Sequence, residues 1–289
     1  MDLPTDPDEA THRLAEARTG EPTAWFDDLY RAAGAGEAVV PWDRAEPNAL
    51  LVEWVEREGP PTSARTIVVG AGYGRDAEYL SSLGYPTTAF DISPSAVEQT
   101  RARHPDSTVH YDVADLLALP RGWISGFDLV VESMNVQALP EPPRADAIRA
   151  VSGLVAPGGT LVVIAFGSDG TASERDAYPG PPWPLVRSEI DAFAGDGIDL
   201  VAVERVYPTR TCAGARPSGG ADSQGSAIHR DPGRPLGPGC RPCSSGEGWA
   251  RSWSFVDPRG SAIDHNPGHP PSRWSVAPRA SQPAHGGAK

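Results

Sequence analysis

Residues 67–76 read Ile67-Val68-Val69-Gly70-Ala71-Gly72-Tyr73-Gly74-Arg75-Asp76, and this stretch decides the fold. Its β-branched run predicts a buried parallel strand, which passes directly into three glycines spaced G-x-G-x-G. Glycine permits positive φ and lets backbone N–H groups approach a ligand closely. The residues that follow, 76–80, predict a helix whose first turn directs partial positive charge at the same place. Strand, glycine loop and helix in this order predict a ligand-binding turn.

A second apolar run, residues 87–90, ends in Asp91, seventeen residues after Gly74. An acid at the tip of the second strand is placed to accept hydrogen bonds from ribose hydroxyls. The third glycine comes one residue earlier than in the dinucleotide pattern G-x-G-x-x-G. The spacing therefore favours a nucleoside-type ligand such as S-adenosylmethionine (SAM) over NAD.

Strand and helix patterns alternate from Thr66 onward, which predicts an α/β fold with a Rossmann-like, doubly wound and mostly parallel sheet. Residues 1–60 are expected to form a helical cap with an aromatic face. The turn Pro157-Gly158-Gly159 precedes a run apolar enough to be a central strand. The predicted strands are 67–70, 87–91, 108–111, 127–132, 160–166 and 198–206, and the predicted helices are 75–83, 94–103, 143–155 and 187–195.

The charge is unevenly distributed along the 289 residues, whose formal net charge is −13. Residues 207–289 carry +5 and the remainder −18. An acidic body repels phosphate backbones, so we expect no nucleic-acid partner. No apolar run approaches the roughly 20 residues that cross a bilayer, and the N-terminus lacks an apolar signal segment. We therefore expect a cytoplasmic protein without a membrane partner, and its oligomeric state is left open.

The sequence changes character after Val206, so residues 1–206 are expected to form one domain. Residues 207–289 contain 12 Pro and 13 Gly and are expected to be a disordered tail. Cys240-x-x-Cys243 and His265-x-x-x-His269 have ligand-like pair spacings, but 21 residues separate them, so we expect no metal site. The strand-like piece 253–256 is short. The biased composition suggests a segment read from a shifted frame or fused to the domain.

The glycine loop, Asp91, Pro157-Gly158-Gly159 and the strand order together resemble the class I SAM-dependent methyltransferases. Further segments resemble the branch of thiopurine S-methyltransferase and the thiol methyltransferases. These are the tryptophans of residues 25–43, the segment 132–144 that ends L-P-x-x-x-R, and Gly180-Pro181-Pro182-Trp183. The resemblance covers roughly residues 20–206. It implies a seventh, antiparallel strand, and nothing from Tyr207 onward resembles that strand, so we expect it to be missing and stability to be reduced.

The resemblance also implies a role for individual residues. SAM is the implied cofactor, and Arg144 is the implied catalytic residue, facing the acceptor. The remaining implied cofactor contacts are Gly70, Gly72 and Gly74 near the methionyl part, Asp91 near the ribose, Asp112 and Val113 near the adenine, Trp25 and Trp42 in the cap, Glu132 at the fourth strand, and Asp76 and Ile92, which are expected to bind the cofactor without an assigned part of it.

The implied activity is methyl transfer from SAM to a small-molecule acceptor, which is expected to be a thiol or another heteroatom. Methyl transfer from a sulfonium needs alignment more than covalent help, and proximity can supply about 7–11 kcal/mol. A cation such as Arg144 would favour a thiolate acceptor. The alternatives are an O- or N-methyltransferase of secondary metabolism, a SAM-binding protein without catalysis and, more distantly, a nucleotide-dependent oxidoreductase.

Each of these residues also has a purely structural interpretation. The glycine loop could be a tight turn of an unrelated α/β protein, and Asp91 could cap the following helix. Asp112 and Asp115 could be solvated loop acids, and Arg144 a solvated residue in the first turn of a helix. Trp54 is expected to be a core aromatic.

Overall fold

A computed structural model of the chain describes residues 14, 22–176, 180–195, 197–206 and 251–255, with residues 176, 205 and 251–255 described in backbone only. The helices are α1 (Ala24–Gly34), α2 (Ala49–Glu58), α3 (Arg75–Ser82), α4 (Pro94–Arg103), α5 (Pro143–Gly153), α6 (Ala172–Asp176) and α7 (Arg187–Asp191). The strands are β1 (Thr66–Val69), β2 (Thr87–Asp91), β3 (His110–Val113), β4 (Phe127–Ser133), β5 (Val155–Ser168), β6 (Leu185–Val186), β7 (Ala202–Val206) and β8 (Arg251–Phe255).

The strands form one sheet in the order β3-β2-β1-β4-β5-β8-β7, with β6 pairing beside the end of β5. Every described pairing is parallel except those of β8. The order reverses between β1 and β4, so the carboxyl ends of these two strands flank a crevice. Ligands of open α/β sheets bind at such a reversal.

Alternate residues of the central strands pack on opposite faces of the sheet. On one face Val68 and its neighbours contact α2, α3 and α4, including the fully buried Trp54. On the other face Ile67 and Val69 join a cluster that includes Ile148 of α5. Burial on both faces explains why the strands read as continuous apolar runs. The expected α/β architecture is confirmed.

Most element boundaries follow the sequence closely, but several differ. The strand expected at 198–206 begins at Ala202, and the helix expected at 143–155 ends at Gly153. β3 lies about two residues later than expected, at His110–Val113. β5 begins at Val155, and its pairing with β4 shifts register across the expected glycine turn, where Gly158 has a φ of 78°. The helix expected at 187–195 ends at Asp191.

The expectation of a missing seventh strand is wrong. β8 lies between β5 and β7 and runs antiparallel to both, with Ser254 opposite Val163 on one side and Val203 on the other. The edge of β5 is therefore covered, and the expected loss of ladder partners does not occur. The two Cys and His pairs, and the rest of the segment expected to be disordered, lie outside the described residues.

Candidate active site

The glycine loop follows β1 and adopts a backbone conformation that requires glycine. Gly70 and Gly72 have φ values of 55° and 54°, in the left-handed region. A Cβ on Gly70 would lie 1.8 Å from Asn135 Oδ1, and one on Gly72 would lie 2.9 Å from the Tyr30 hydroxyl. The loop is therefore enclosed by side chains from both ends of the crevice.

Asp91 joins the end of β2 to the glycine loop. Its Oδ2 accepts the Gly72 N–H at 2.9 Å, and its Oδ1 accepts the Ser93 N–H at 2.9 Å. Burial raises the pKa of the Asp91 carboxyl, and these backbone donors partly offset that effect. Ser93, not Asp91, caps α4, because the Ser93 hydroxyl accepts the Ala96 N–H. Since a carboxylate has about four lone-pair positions, Asp91 retains capacity for a ligand hydroxyl.

An aromatic cluster from the cap covers the glycine loop. The ring of Trp25 stacks on that of Phe26 with centroids 3.9 Å apart, and meets Trp42 edge-on at 6.1 Å. Trp42 Nε1 donates to the Tyr30 hydroxyl at 2.7 Å. These rings present a rigid apolar wall to the crevice.

Polar contacts fix the cap to the sheet domain. The Asp27 carboxylate accepts the Ser93 hydroxyl at 2.7 Å, and Arg103 donates to both oxygens of Asp43 at 3.1 Å. Asp76 accepts the Asn48 N–H at 2.7 Å, which joins the start of α3 to the entry of α2. Burial raises the pKa of Asp76. These contacts make the cap a fixed wall of the crevice.

The loop after β4 forms the opposite wall, and Glu132 holds it in place. Glu132 is fully buried, and its Oε1 accepts the N–H groups of Asn135 at 2.5 Å and Val136 at 3.0 Å. Burial raises the pKa of Glu132 to about 7, which these two donors partly offset. Met134, which lies between Glu132 and Asn135 in the sequence, has a φ of 68°, a strained conformation for a residue with a side chain.

Arg144 lies away from the crevice, which corrects the role implied by the resemblance. The side chain is 1% exposed, so it is not a solvated first-turn residue either. Its Nε donates to the Leu139 carbonyl at 2.8 Å, and its guanidinium pairs with Glu189 at 3.1 Å. Glu189 also pairs with Arg175. Because a buried guanidinium needs a partner, Arg144 is held in an ion-pair network that joins α5 to α7.

Asp112, Val113 and Gly74 also lie outside the crevice wall. Asp112 lies within β3 because that strand is displaced by two residues, and it faces His110 on the same side of the strand, with Oδ2 3.0 Å from Nε2. Val113 is half exposed. A Cβ on Gly74 would lie 2.3 Å from the Tyr111 hydroxyl, so this glycine allows packing rather than ligand contact.

The crevice encloses a cavity of about 900 Å³. This volume is at the upper end of the range for ligand pockets, so the cavity has room for a cofactor and a second molecule. The residues expected at the site that line it are Trp25, Trp42, Gly70, Gly72, Asp76, Asp91 and Ile92. Glu132, like Arg144, is not among the residues that line the cavity.

Sequence reasoning missed several residues of the wall. Tyr30, Asn135, Gln137 and Phe166 line the cavity, as do residues 114–117 after β3. A signal existed for Asn135 and Gln137, because both follow directly after β4 at the carboxyl edge of the sheet. No sequence signal distinguishes Tyr30 from the other aromatic residues of the cap.

The cavity fits an adenosyl sulfonium ligand by two observations. Gly70 and Gly72 line the cavity without a side chain, and a Cβ at Gly72 would lie 2.9 Å from the Tyr30 hydroxyl. The Asp91 carboxylate lines the cavity one strand away, with lone pairs left for ribose hydroxyls. The residues present therefore fit SAM.

The α/β fold of this chain and the position of its crevice agree with those of class I methyltransferases. Residues 67–159 match the model of the family described as "Methyltransferase domain". Over these residues the chain therefore matches a methyltransferase domain, which supports the assignment to class I methyltransferases that the glycine loop and its context predicted.

Curated relatives are methyltransferases of two kinds. The chain is 28% identical over 121 residues to the ubiquinone biosynthesis O-methyltransferase of Xylella fastidiosa, covering 40% of this chain and 47% of that protein. It is 24% identical over 176 residues to the thiopurine S-methyltransferase of Acinetobacter baylyi, covering 53% of this chain and 77% of that protein. The chain spans about half the length of the ubiquinone enzymes it matches.

A solved structure supports the fold over most of the chain. It is described as "Conversion of a Disulfide Bond into a Thioacetal Group during Echinomycin Biosynthesis", with a TM-score of 0.54 and 20% identity over 83% of this chain and 93% of that one. Within the described residues, no helix is long and apolar enough to cross a membrane. The described part of the chain also contains no cluster of three metal-ligating side chains.

Proposed function

We propose that this protein transfers the methyl group of SAM to a small, flat, largely apolar acceptor whose nucleophile is a thiol or another heteroatom. SAM is the cofactor of the methyltransferase class to which the domain belongs. When bound, it supplies an electrophilic methyl group on a sulfonium. The observation that carries the proposal is the single cavity shared by the glycine loop, Asp91 and the aromatic cap.

The residues of the chain would contribute alignment and exclusion of water. The loop from Gly70 to Gly72 and the Asp91 carboxylate would fix the cofactor at the β1 and β2 ends of the crevice. Trp25, Phe26 and Trp42 would cover it and keep water out. Holding nucleophile and methyl donor in line can supply about 7–11 kcal/mol of the barrier.

Because Arg144 does not line the cavity, the chemistry of the acceptor has to be inferred from the other residues that do. No histidine or lysine is among the described residues that line the cavity. Of the acids that line it, Asp76, Asp91 and Asp115 accept backbone N–H groups and Asp43 pairs with Arg103. The fifth acid, Glu46, is exposed. An acceptor that ionises near neutral pH requires no base from the protein. Thiols meet this condition better than alcohols, since a free thiol has a pKa near 8.5. A thiol is therefore the first candidate for the acceptor.

An oxygen acceptor is the second candidate, because several of the curated relatives are O-methyltransferases. A phenol with an electron-withdrawing substituent would also ionise without a base. The two candidates differ in which member of a matched thiol and phenol pair is methylated.

Two measurements test the proposal. SAM and its demethylated product should raise the melting temperature of the protein, and NAD should not. Labelled methyl from SAM should then pass to aromatic thiols in a panel of matched thiols and phenols. Transfer to phenols alone would favour the second candidate, and binding of SAM without transfer to any acceptor would contradict the proposed activity.

A matched pair of variants locates the cofactor. Asp91→Asn should weaken SAM binding, because the substitution removes the carboxylate that faces the cavity and joins it to Gly72. Asp146→Asn changes an exposed acid on α5 and should leave SAM binding unchanged. Equal affinity in the two variants would contradict the placement of the ribose at Asp91.

A further inference from the structure

Gln137 occupies an unusual position in the cavity wall. It lies in the short turn Val136–Ala138 between β4 and α5, is fully buried, and is among the residues that line the cavity. Its side chain bonds to the backbone of Phe166, and the apolar residues Leu139, Phe166 and Pro182 line the same cavity. A buried amide in such a wall calls for a specific partner.

The orientation of the Gln137 amide is fixed by the protein. Its Oε1 accepts the backbone N–H of Phe166 at 2.7 Å, and a backbone N–H can only donate. The oxygen and nitrogen of the amide are therefore distinguished by their environment. Nε2 carries two N–H groups, and it has no hydrogen-bond partner among the residues that the structure describes.

The strand order places this donor on the acceptor side of the cavity. The glycine loop follows β1 and Asp91 ends β2, whereas Gln137 follows β4 and bonds to β5. The order β2-β1-β4-β5 therefore separates Asp91 from Gln137 by two intervening strands. A cofactor held at β1 and β2 leaves the wall around Gln137 for the second molecule.

We propose that Gln137 Nε2 donates a hydrogen bond to the methyl acceptor and so selects acceptors that carry a carbonyl oxygen, or an equivalent hydrogen-bond acceptor, beside the nucleophile. This inference rests on the proposed function for the presence of a second molecule in the cavity. It goes further by assigning Gln137 as a specificity-determining residue. An apolar molecule without such an oxygen would leave the buried N–H groups unpaired.

The test uses pairs of acceptors that differ in one carbonyl-bearing group. Methyl 2-mercaptobenzoate is compared with thiophenol, and methyl 2-hydroxybenzoate with phenol. Binding of each is measured by calorimetry to protein saturated with S-adenosylhomocysteine, so that no methyl transfer is needed. The wild-type protein should bind the carbonyl-bearing member of a pair about tenfold more tightly, as one buried hydrogen bond predicts.

Variants of Gln137 distinguish an amide that binds the acceptor from one that only stabilises the fold. Gln137→Met should reduce the ratio of the two affinities to about one while leaving binding of S-adenosylhomocysteine unchanged. Gln137→Asn withdraws the amide by one methylene and should reduce the ratio as well. Gln99→Met removes an amide that does not itself line the cavity but bonds to Tyr30 and Tyr73 on its cofactor side. This variant should leave the ratio unchanged even where stability falls.

A wild-type ratio near one overturns the inference, and so does a tenfold ratio that persists in both Gln137 variants. Methyl transfer together with equal affinity for the two acceptors of each pair would uphold the proposed function and contradict this inference. A ratio that depends on Gln137, without methyl transfer to any acceptor, would uphold this inference and remove the proposed activity. The wild-type ratio decides the matter even if Gln137→Met does not fold.

Discussion

Substitution of Glu132 by Gln should remove a pH-dependent loss of stability. The pKa of Glu132 rises from 4.5 to about 7 in the folded protein because the carboxyl is fully buried. Between those two values the folded state holds a proton that the unfolded state has released, so stability falls as pH rises through this window. The loss over the full window is about 3 kcal/mol.

The structure explains why Gln is a suitable replacement. Glu132 Oε1 accepts the N–H groups of Asn135 and Val136, and the amide oxygen of Gln can accept the same two donors. Glu132 Oε2 has no hydrogen-bond partner in the described part of the chain, so an NH₂ group there displaces no bond that the structure describes. Glu132→Gln should therefore gain about 2–3 kcal/mol relative to wild type between pH 5 and pH 8.

The assay is urea denaturation of both proteins at pH 5 and pH 8, followed by tryptophan fluorescence. Comparison of the two proteins cancels the contributions of other titrating groups. Glu53→Gln, on the exposed side of α2, is the control and should follow wild type at both pH values. Because Glu132 does not line the cavity, Glu132→Gln should also keep its SAM affinity. An identical loss of stability in wild type and Glu132→Gln would refute this reasoning.

Three further predictions follow from the same contacts. Gly70→Ala should lower the free energy of unfolding by more than about 2 kcal/mol, because it combines left-handed strain with a clash against Asn135. Gly158→Ala is the control, since Gly158 has a similar φ but open space around it, and it should lose only about 1–2 kcal/mol in a denaturation experiment. Arg144→Met should cost about 1–3 kcal/mol of stability by removing the hydrogen bonds of Arg144 to Glu189 and to the Leu139 carbonyl. Arg175 still pairs with Glu189, and the KM for the acceptor should be unchanged at temperatures where the variant is folded. Ser254→Pro should destabilise the full chain by more than about 1 kcal/mol through a lost ladder bond, and Ser254→Ala should not; equal melting temperatures would contradict the placement of β8.

The amino-acid sequence by itself determined the central part of this protein. The boundaries of β2 and α4, the glycine loop and the acid at the end of β2 are all encoded within short windows of neighbouring residues. Hydrophobic periodicity, turn residues and the glycine spacing act over such windows, so local reasoning is sufficient for them. Gly70, Gly72 and Asp91, which the sequence predicted at the site, line the cavity.

Features that depend on residues distant in the sequence emerge only from the assembled fold. The short piece at 251–255 has a weak strand pattern, yet it pairs with β5 and β7, which lie more than 40 residues away in the sequence. The ion-pair network of Arg144 depends on Glu189, and the free donor of Gln137 depends on its bond to Phe166. The direction of a polar side chain is set by which charges and N–H groups the fold brings to it, and those pairings arise only when the sheet is assembled.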